Sequence, residues 1–394
     1  MAKELALVTP IMLKWARESA WFSITDFAQK IGRPVTEIES REEGKTHPTI
    51  SQAQKLAKIT KRSLAIFYME EPPKNFQILQ DFRRLPSSEL NIISSELNEL
   101  INTATTNQEW IHDYLISEDN PELEFVGKYK ITDKLDVILE WIYASLNISI
   151  NEQTECDTKE EALKLWVSKL EESWVFVFKN TTVSLEECRG FVISDKMAPF
   201  IFINSNDSTT GQLFSLIHEL VHILINETGL SNSDTSGAYT SDKAKDIEVF
   251  CNRIAANVLI NPTAFDIKLK SLTKLTTEWQ IKKLADFFKV SNEVIARKFL
   301  EKWYISNEKY QELRHNYIQW WLIYQAQLKA KRKLTKWGPD YYITKLAHDG
   351  HSFVRTVIDA YYNWKVLWRE AAYLLNVKVN NIQKLGLKSR LFLS

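Results

Sequence analysis

Residues 211–226 read GQLFSLIHELVHILIN, and the two histidines of this segment, His218 and His222, are four positions apart. On a helix this spacing places both imidazoles on one face, where they can reach a single metal ion at about 2.0–2.1 Å. Glu219, between them, is suited to take a proton from a water molecule. Apolar residues surround the three, so the helix is expected to be buried and its polar side chains need partners. A metal site is therefore predicted; a packing helix that binds no metal is the alternative.

A second segment, DIEVFCNRIAANVLINP at 246–262, offers a third ligand. Glu248 shares a helical face with Asn252 and with two alanines, Ala255 and Ala256, at spacings of three and four. Small residues let two helices approach closely, and a carboxylate completes a set of two histidines and one glutamate with a fourth position left for water.

Three apolar, β-rich runs precede the histidine helix: WVFVF at 174–178, GFVIS at 190–194 and PFIFIN at 199–204. They predict a small sheet. PFIFIN is expected to be an edge strand beside the cleft, where a peptidase can hold an extended substrate by main-chain hydrogen bonds.

The ends of the chain show helix-turn-helix patterns. Near the N-terminus, Ile24, Phe27, Ala28 and Ile31 form an apolar stripe that ends before Gly32, a residue suited to stop a helix. Similar patterns recur at 277–303 and 367–385. The run KAKRKLTKWG at 329–338 is open to three interpretations: a solvated helix face, a nucleic-acid contact or a protein contact.

Charge and composition set the class of protein. The 394 residues are 44% hydrophobic with only ten glycines and ten prolines, as in a mainly helical globular protein. Basic and acidic residues number 11 and 8 in residues 1–70, 23 and 35 in 71–300, and 16 and 7 in 301–394. Three dispersed cysteines, no secretory leader and no long apolar run predict a cytoplasmic protein without a membrane partner.

The segment ITDFAQKIGRPVTEIESREEGKTHPTISQAQKLAKITKRSLAIFYMEEPP, 24–73, resembles the DNA-binding domain of XRE (Cro-type) regulators. The resemblance covers residues 10–73. Arg41 stands where the family often has an aromatic residue. Four carboxylates of the recognition segment, on Glu37, Glu39, Glu42 and Glu43, predict weak DNA binding, or a module that binds protein instead.

The pair of segments GFVISDKMAPFIFINSNDSTTGQLFSLIHELVHILI (190–225) and EVFCNRIAANVLINP (248–262) is similar to the ImmA/IrrE family of metallo-endopeptidases, over residues 160–300. The resemblance implies that His218, His222 and Glu248 bind Zn2+ and that Glu219 is the catalytic base. Asn257 stands where many members have an acidic residue, a departure that removes no ligand.

The predicted fold is mainly α (α+β), with a zincin-like central domain and a helical C-terminus. Its domains are 1–73, XRE-like helix-turn-helix; 74–135, helical connector; 136–272, metallopeptidase; 273–305, a second helix-turn-helix-like segment; and 306–394, a basic, tryptophan-rich helical domain. Weaker site candidates are Tyr239, for the oxyanion, and His348 and His351, which fit cap and surface positions better than ligand positions.

Two functions are predicted. The first is a zinc-dependent endopeptidase that cleaves one cognate regulatory protein, which docks on residues 1–73 or on the tail bearing Trp320, Trp321, Trp337, Trp364 and Trp368. The second is a non-proteolytic DNA-binding regulator or antitoxin that uses the metal fold as a scaffold. Genes of this combined type resemble antitoxins found beside PIN-like nuclease toxins, which implies a toxin encoded nearby as partner. The oligomeric state is not predicted.

Overall fold

A computed structural model describes residues 5–20, 22–60, 64–71, 80–81, 94–231, 242–334 and 340–391. The described residues group into two compact units, one within 1–78 and 86–106 and the other within 79–85 and 107–394. The fold is mainly α with a small β-sheet, as predicted. None of the described helices combines the length and apolarity needed to cross a membrane.

The first unit is a bundle of short helices. Its elements are α1 Pro10–Ser19, α2 Ile24–Ile31, α3 Val35–Glu42, α4 Ile50–Thr60 and a 3-10 turn Leu64–Tyr68. Ser23 caps α2 by accepting a hydrogen bond from the Asp26 amide, and Gly32 ends it with a left-handed φ of 73°. Phe27, Ile31 and other apolar side chains of this predicted helix-turn-helix fill the unit's core.

The acidic residues of α3 do not all face outward. Glu42 forms a largely buried ion pair with Arg17 at 2.6 Å. Glu37 pairs with Arg41, which is itself buried. The expectation that four carboxylates would face a phosphate backbone is therefore wrong for Glu42, because α1 supplies a guanidinium that draws it inward.

The second unit holds the sheet and most of the helices. Helix α5, Ser95–Ser117, has residues in both units. The other helices of the second unit are α6 Leu135–Ser145, α7 Ile150–Glu155, α8 Lys159–Glu172, α9 Thr209–Leu224, α10 Asp242–Leu259, α11 Pro262–Lys270, α12 Thr277–Phe288, α13 Asn292–Glu301, α14 Asn307–Leu334, α15 Tyr341–Asp349, α16 His351–Tyr362, α17 Trp368–Leu374 and α18 Ile382–Leu391. Thr158 and Glu161 form a capping box on α8, and Ser291 caps α13 by accepting a hydrogen bond from the Val294 amide.

Among the described residues the sheet has five strands, in the order β1-β5-β3-β4-β2. The strands are β1 Gln80–Asp81, β2 Phe176–Asn180, β3 Gly190–Ile193, β4 Phe200–Asn204 and β5 Gly229–Ser231. β4 pairs along its whole length with β2, in parallel, and is antiparallel to β3. The prediction that PFIFIN is an edge strand is therefore wrong. All five residues of β4 are buried, which is typical of an interior strand.

The C-terminal helices cover the β2 side of the sheet. Phe353 of α16 packs on Phe178 and Phe200, with ring centroids 5.2 and 6.3 Å apart. Gly350, at φ 81°, joins α15 to α16 so close to β2 that a Cβ there would lie 2.5 Å from the Val177 carbonyl oxygen.

Candidate metal centre

Helix α9 carries the predicted metal residues into the core. Ser208 caps it by accepting a hydrogen bond from the Gly211 amide. The apolar residues around the histidines pack against the sheet and α10. His218, Glu219 and His222 are consequently buried, with no more than 1% of each residue exposed.

Helix α10 brings the third predicted ligand to the two histidines. The Nε2 atoms of His218 and His222 are 3.1 Å apart, and each lies near a Glu248 carboxylate oxygen, at 3.2 and 3.4 Å respectively. A tetrahedral ion with bonds of 2.0–2.1 Å separates its ligand atoms by about 3.3 Å. The three side chains therefore have the spacing of a zinc ligand set, and within the described residues they form a cluster able to hold a metal ion.

The electrostatics of the cluster also suit a cation. Burial opposes ionisation of Glu248, but the two imidazoles outweigh it and hold the pKa of that carboxyl well below its usual range. Burial lowers the pKa of His222, with His218 adding to the effect. Burial also disfavours charge on His218, yet the nearby carboxylate of Glu248 leaves its pKa raised. Apart from the two imidazoles, no donor within the described part of the chain reaches either Glu248 oxygen, so both have lone pairs to offer a metal.

Glu219 depends on a glycine that the sequence analysis did not single out. A Cβ placed on Gly190, at the start of β3, would lie 2.8 Å from Glu219 Oε1 and 3.0 Å from the Phe202 carbonyl oxygen. The space beside β3 thus holds the Glu219 carboxylate. The available signal was a glycine opening an otherwise apolar strand, which often marks a close approach.

The other candidates do not join this cluster. His348 lies in the last turn of α15 and His351 begins α16, and burial lowers the pKa of both. Neither is part of the metal-ligand group found among the described residues. Tyr239 lies outside the described residues. Asn257 accepts a hydrogen bond from the largely buried Lys298 at 2.6 Å, which gives the amide a structural role.

Comparison with known families supports two modules. Residues 175–300 match the M78 peptidase family, described as the IrrE N-terminal-like domain, and residues 13–67 match a family described as helix-turn-helix. These matches confirm the predicted architecture of an XRE-type module followed by an ImmA/IrrE-like metallopeptidase domain. No curated protein matches the chain.

Proposed function

We propose that this chain is a zinc-dependent endopeptidase that cleaves a specific cognate protein in a regulatory pathway. The observation that carries the proposal is the ligand geometry of His218, His222 and Glu248. Glu219 is buried on the histidine helix α9, in space that Gly190 leaves open. The match of residues 175–300 to a metallopeptidase family supports the same reaction class.

In this proposal His218, His222 and Glu248 would hold the ion. Zinc, when bound, lowers the pKa of a water molecule and polarises a peptide carbonyl. Glu219 accepts a proton from the attacking water and delivers it to the nitrogen of the departing amine as the peptide C–N bond breaks. The burial of these α9 residues strengthens the interactions, because charges act on one another more strongly away from bulk water.

The N-terminal module and the three free cysteines indicate where the protein would act and on what process. Cys156, Cys188 and Cys251 form no disulfide with one another, an arrangement typical of cytoplasmic proteins. The helix-turn-helix match at 13–67 fits a protein that acts on gene expression. The substrate would then be a regulator or a toxin encoded nearby, docked on residues 1–73 or 306–394.

The test compares the intact protein with a Glu219→Gln variant in cells. Glutamine keeps the shape of the side chain and cannot act as the base, so zinc content should be unchanged while cleavage falls by at least about 100-fold. Mapping of protein N-termini should show new termini with the wild type alone. Identical termini in both strains would overturn the proposed activity.

The second candidate is a non-proteolytic regulator or antitoxin that binds DNA, or a PIN-like nuclease toxin. The structure is more compatible with DNA binding than the sequence suggested, because the ion pair with Arg17 removes the Glu42 carboxylate from the exposed face of α3. Under this alternative Glu219→Gln leaves regulation intact. A reporter gene under the neighbouring promoter distinguishes the two functions.

A further inference from the structure

Asn252 of helix α10 has a buried oxygen atom beside the metal cluster. It follows the proposed ligand Glu248 by one helical turn and therefore lies on the same face of the helix. Its Oδ1 atom is buried, and no hydrogen bond from a described residue reaches it. A buried polar atom without a partner costs free energy, so this oxygen calls for a donor close by.

The direction of α10 along α9 decides which histidine Asn252 faces. Lys243, in the first turn of α10, pairs at 3.5 Å with Glu227, which lies just beyond the end of α9. Glu248, further along α10, reaches both imidazoles. The two helices are therefore antiparallel, and each later turn of α10 lies beside an earlier turn of α9. Asn252 is consequently on the side of His218, the earlier of the two histidines.

The ring of His218 has a nitrogen atom that suits this oxygen. Its Nε2 atom faces His222 and Glu248, at 3.1 and 3.2 Å. Its Nδ1 atom is buried, and no hydrogen bond within the described residues reaches it. Burial lowers the pKa of His218, whereas Glu248 and the side chain of Asn252 act in the opposite direction. The asparagine is thus within range of the imidazole without being aligned with it.

The chemistry of metal binding supplies the reason for the pair. A histidine ligand presents a lone pair to the ion, and in His218 the atom that faces the cluster is Nε2. The proton of the neutral imidazole then has to be on Nδ1. An acceptor at Nδ1 fixes this tautomer and the orientation of the ring, and it makes Nε2 the better ligand.

We propose that Asn252 is a positioning residue of the metal centre, whose Oδ1 accepts a hydrogen bond from Nδ1–H of His218 when the imidazole binds the ion. The inference deepens the proposed function, since it rests on the same ligand set. It concerns the affinity for metal and the state of one imidazole. Measurements of zinc binding therefore test it separately from peptide cleavage.

The first experiment measures the affinity of the full-length protein for Zn2+ by competition with a chelator. Asn252→Leu keeps the approximate size of the side chain and removes the acceptor, so the dissociation constant should rise by about 10- to 100-fold. Asn252→Asp keeps an acceptor oxygen and should bind zinc at least as tightly as the wild type. Unchanged affinity in Asn252→Leu, or an equal loss in both variants, would overturn the proposal.

A control variant separates positioning from a merely structural role. Asn257 is a buried asparagine of the same helix, and it accepts a hydrogen bond from Lys298, which is not part of the metal cluster. Asn257→Leu should lower the thermal midpoint and leave the zinc affinity unchanged. Metal-free Asn252→Leu should unfold at a temperature no lower than the wild type, because leucine replaces an oxygen that lacks a partner. A loss of zinc affinity as large in Asn257→Leu would assign the effect to disturbance of α10 and overturn the proposal.

The second experiment detects the hydrogen bond itself. The seven histidines of the chain are labelled with nitrogen-15, and the ring N–H protons of the zinc-bound protein are recorded by NMR. A buried, hydrogen-bonded proton exchanges slowly with water. The wild type and Asn252→Asp should share a slowly exchanging ring proton that zinc-saturated Asn252→Leu lacks. The same set of protected ring protons in all three proteins would overturn the proposal.

Discussion

Gly190 and Glu219 are coupled by the space they share. Any Cβ on residue 190 meets the glutamate oxygen at 2.8 Å and the Phe202 carbonyl at 3.0 Å, so either the carboxylate or the strand has to move. The smallest possible side chain is therefore enough to disturb the proposed base without touching a metal ligand.

We accordingly expect Gly190→Ala to lower peptide cleavage by about 10- to 100-fold, because a displacement of about 1 Å at a catalytic group can cost this much. Zinc content, measured by mass spectrometry, should stay at one ion per chain. Ala198→Gly, a change at a buried alanine outside the metal cluster, controls for general loosening of the core. Full activity in Gly190→Ala would show that Glu219 does not need its present position.

The ligand set makes a separate prediction. Replacing both His218 and His222 by alanine leaves Glu248 as the single remaining member of the cluster, and one carboxylate does not retain zinc through purification. Metal analysis of the double variant should find well under a tenth of an ion per chain. Stoichiometric zinc in that variant would contradict the assignment. His348→Ala serves as the control and should leave the zinc content unchanged.

At the scale of elements, α8 and α16 are joined by hydrogen bonds between a carboxylate of α8 and the N-terminal amides of α16. Glu171 lies in the last turn of α8, and the amides of His351 and Ser352 donate hydrogen bonds to it, where Gly350 itself offers no cap. Burial outweighs these donors and raises the pKa of Glu171 to about 7, although Lys179 acts in the opposite direction. The protonated acid is thus favoured in the folded protein.

This link predicts a dependence of stability on pH. Because the folded pKa exceeds the ordinary value of 4.5, the stabilisation is fully present below about pH 4.5 and is lost as pH rises through about 7. Between pH 5 and 8 the wild type should lose roughly 1–3 kcal/mol relative to Glu171→Gln. Thermal midpoints at several pH values measure the difference. Glu172→Gln, at the exposed neighbouring position, should follow the wild type.

The elements also show what the sequence could and could not predict. His218, Glu219, His222 and the turn at Gly32 were predictable because helical spacing and glycine stereochemistry are local. The interior position of β4 was not, because strand order depends on pairing with β2 and β3 along other parts of the chain. The Glu42 ion pair was missed for the same reason: its partner, Arg17, lies on another helix.

At the scale of the whole molecule, the C-terminal helices stabilise the sheet, in addition to the docking role proposed for them. Phe353 packs on Phe178 and Phe200, so deletion of residues 306–394 would expose the sheet at the same time as it removes the proposed docking segment. Changes confined to exposed side chains are a cleaner test of docking. Trp364 suits this purpose and Trp303, which lies just before the segment, is its control, because both are almost entirely exposed.

These two tryptophans also have unfavourable backbone conformations. Trp364 has φ 59° and is 94% exposed, and Trp303 has φ 61°. Left-handed backbone favours glycine, so Trp364→Gly and Trp303→Gly should each raise the free energy of unfolding by on the order of 1 kcal/mol.

If Trp364 serves as a docking contact, its glycine variant should also lose cleavage of the cognate protein by about 10-fold or more, as interface tryptophans do when removed. Thermal midpoints and the Glu219-dependent N-termini measure the two effects. A stabilised Trp364→Gly protein that generates the same N-termini at the wild-type rate would place the docking surface elsewhere.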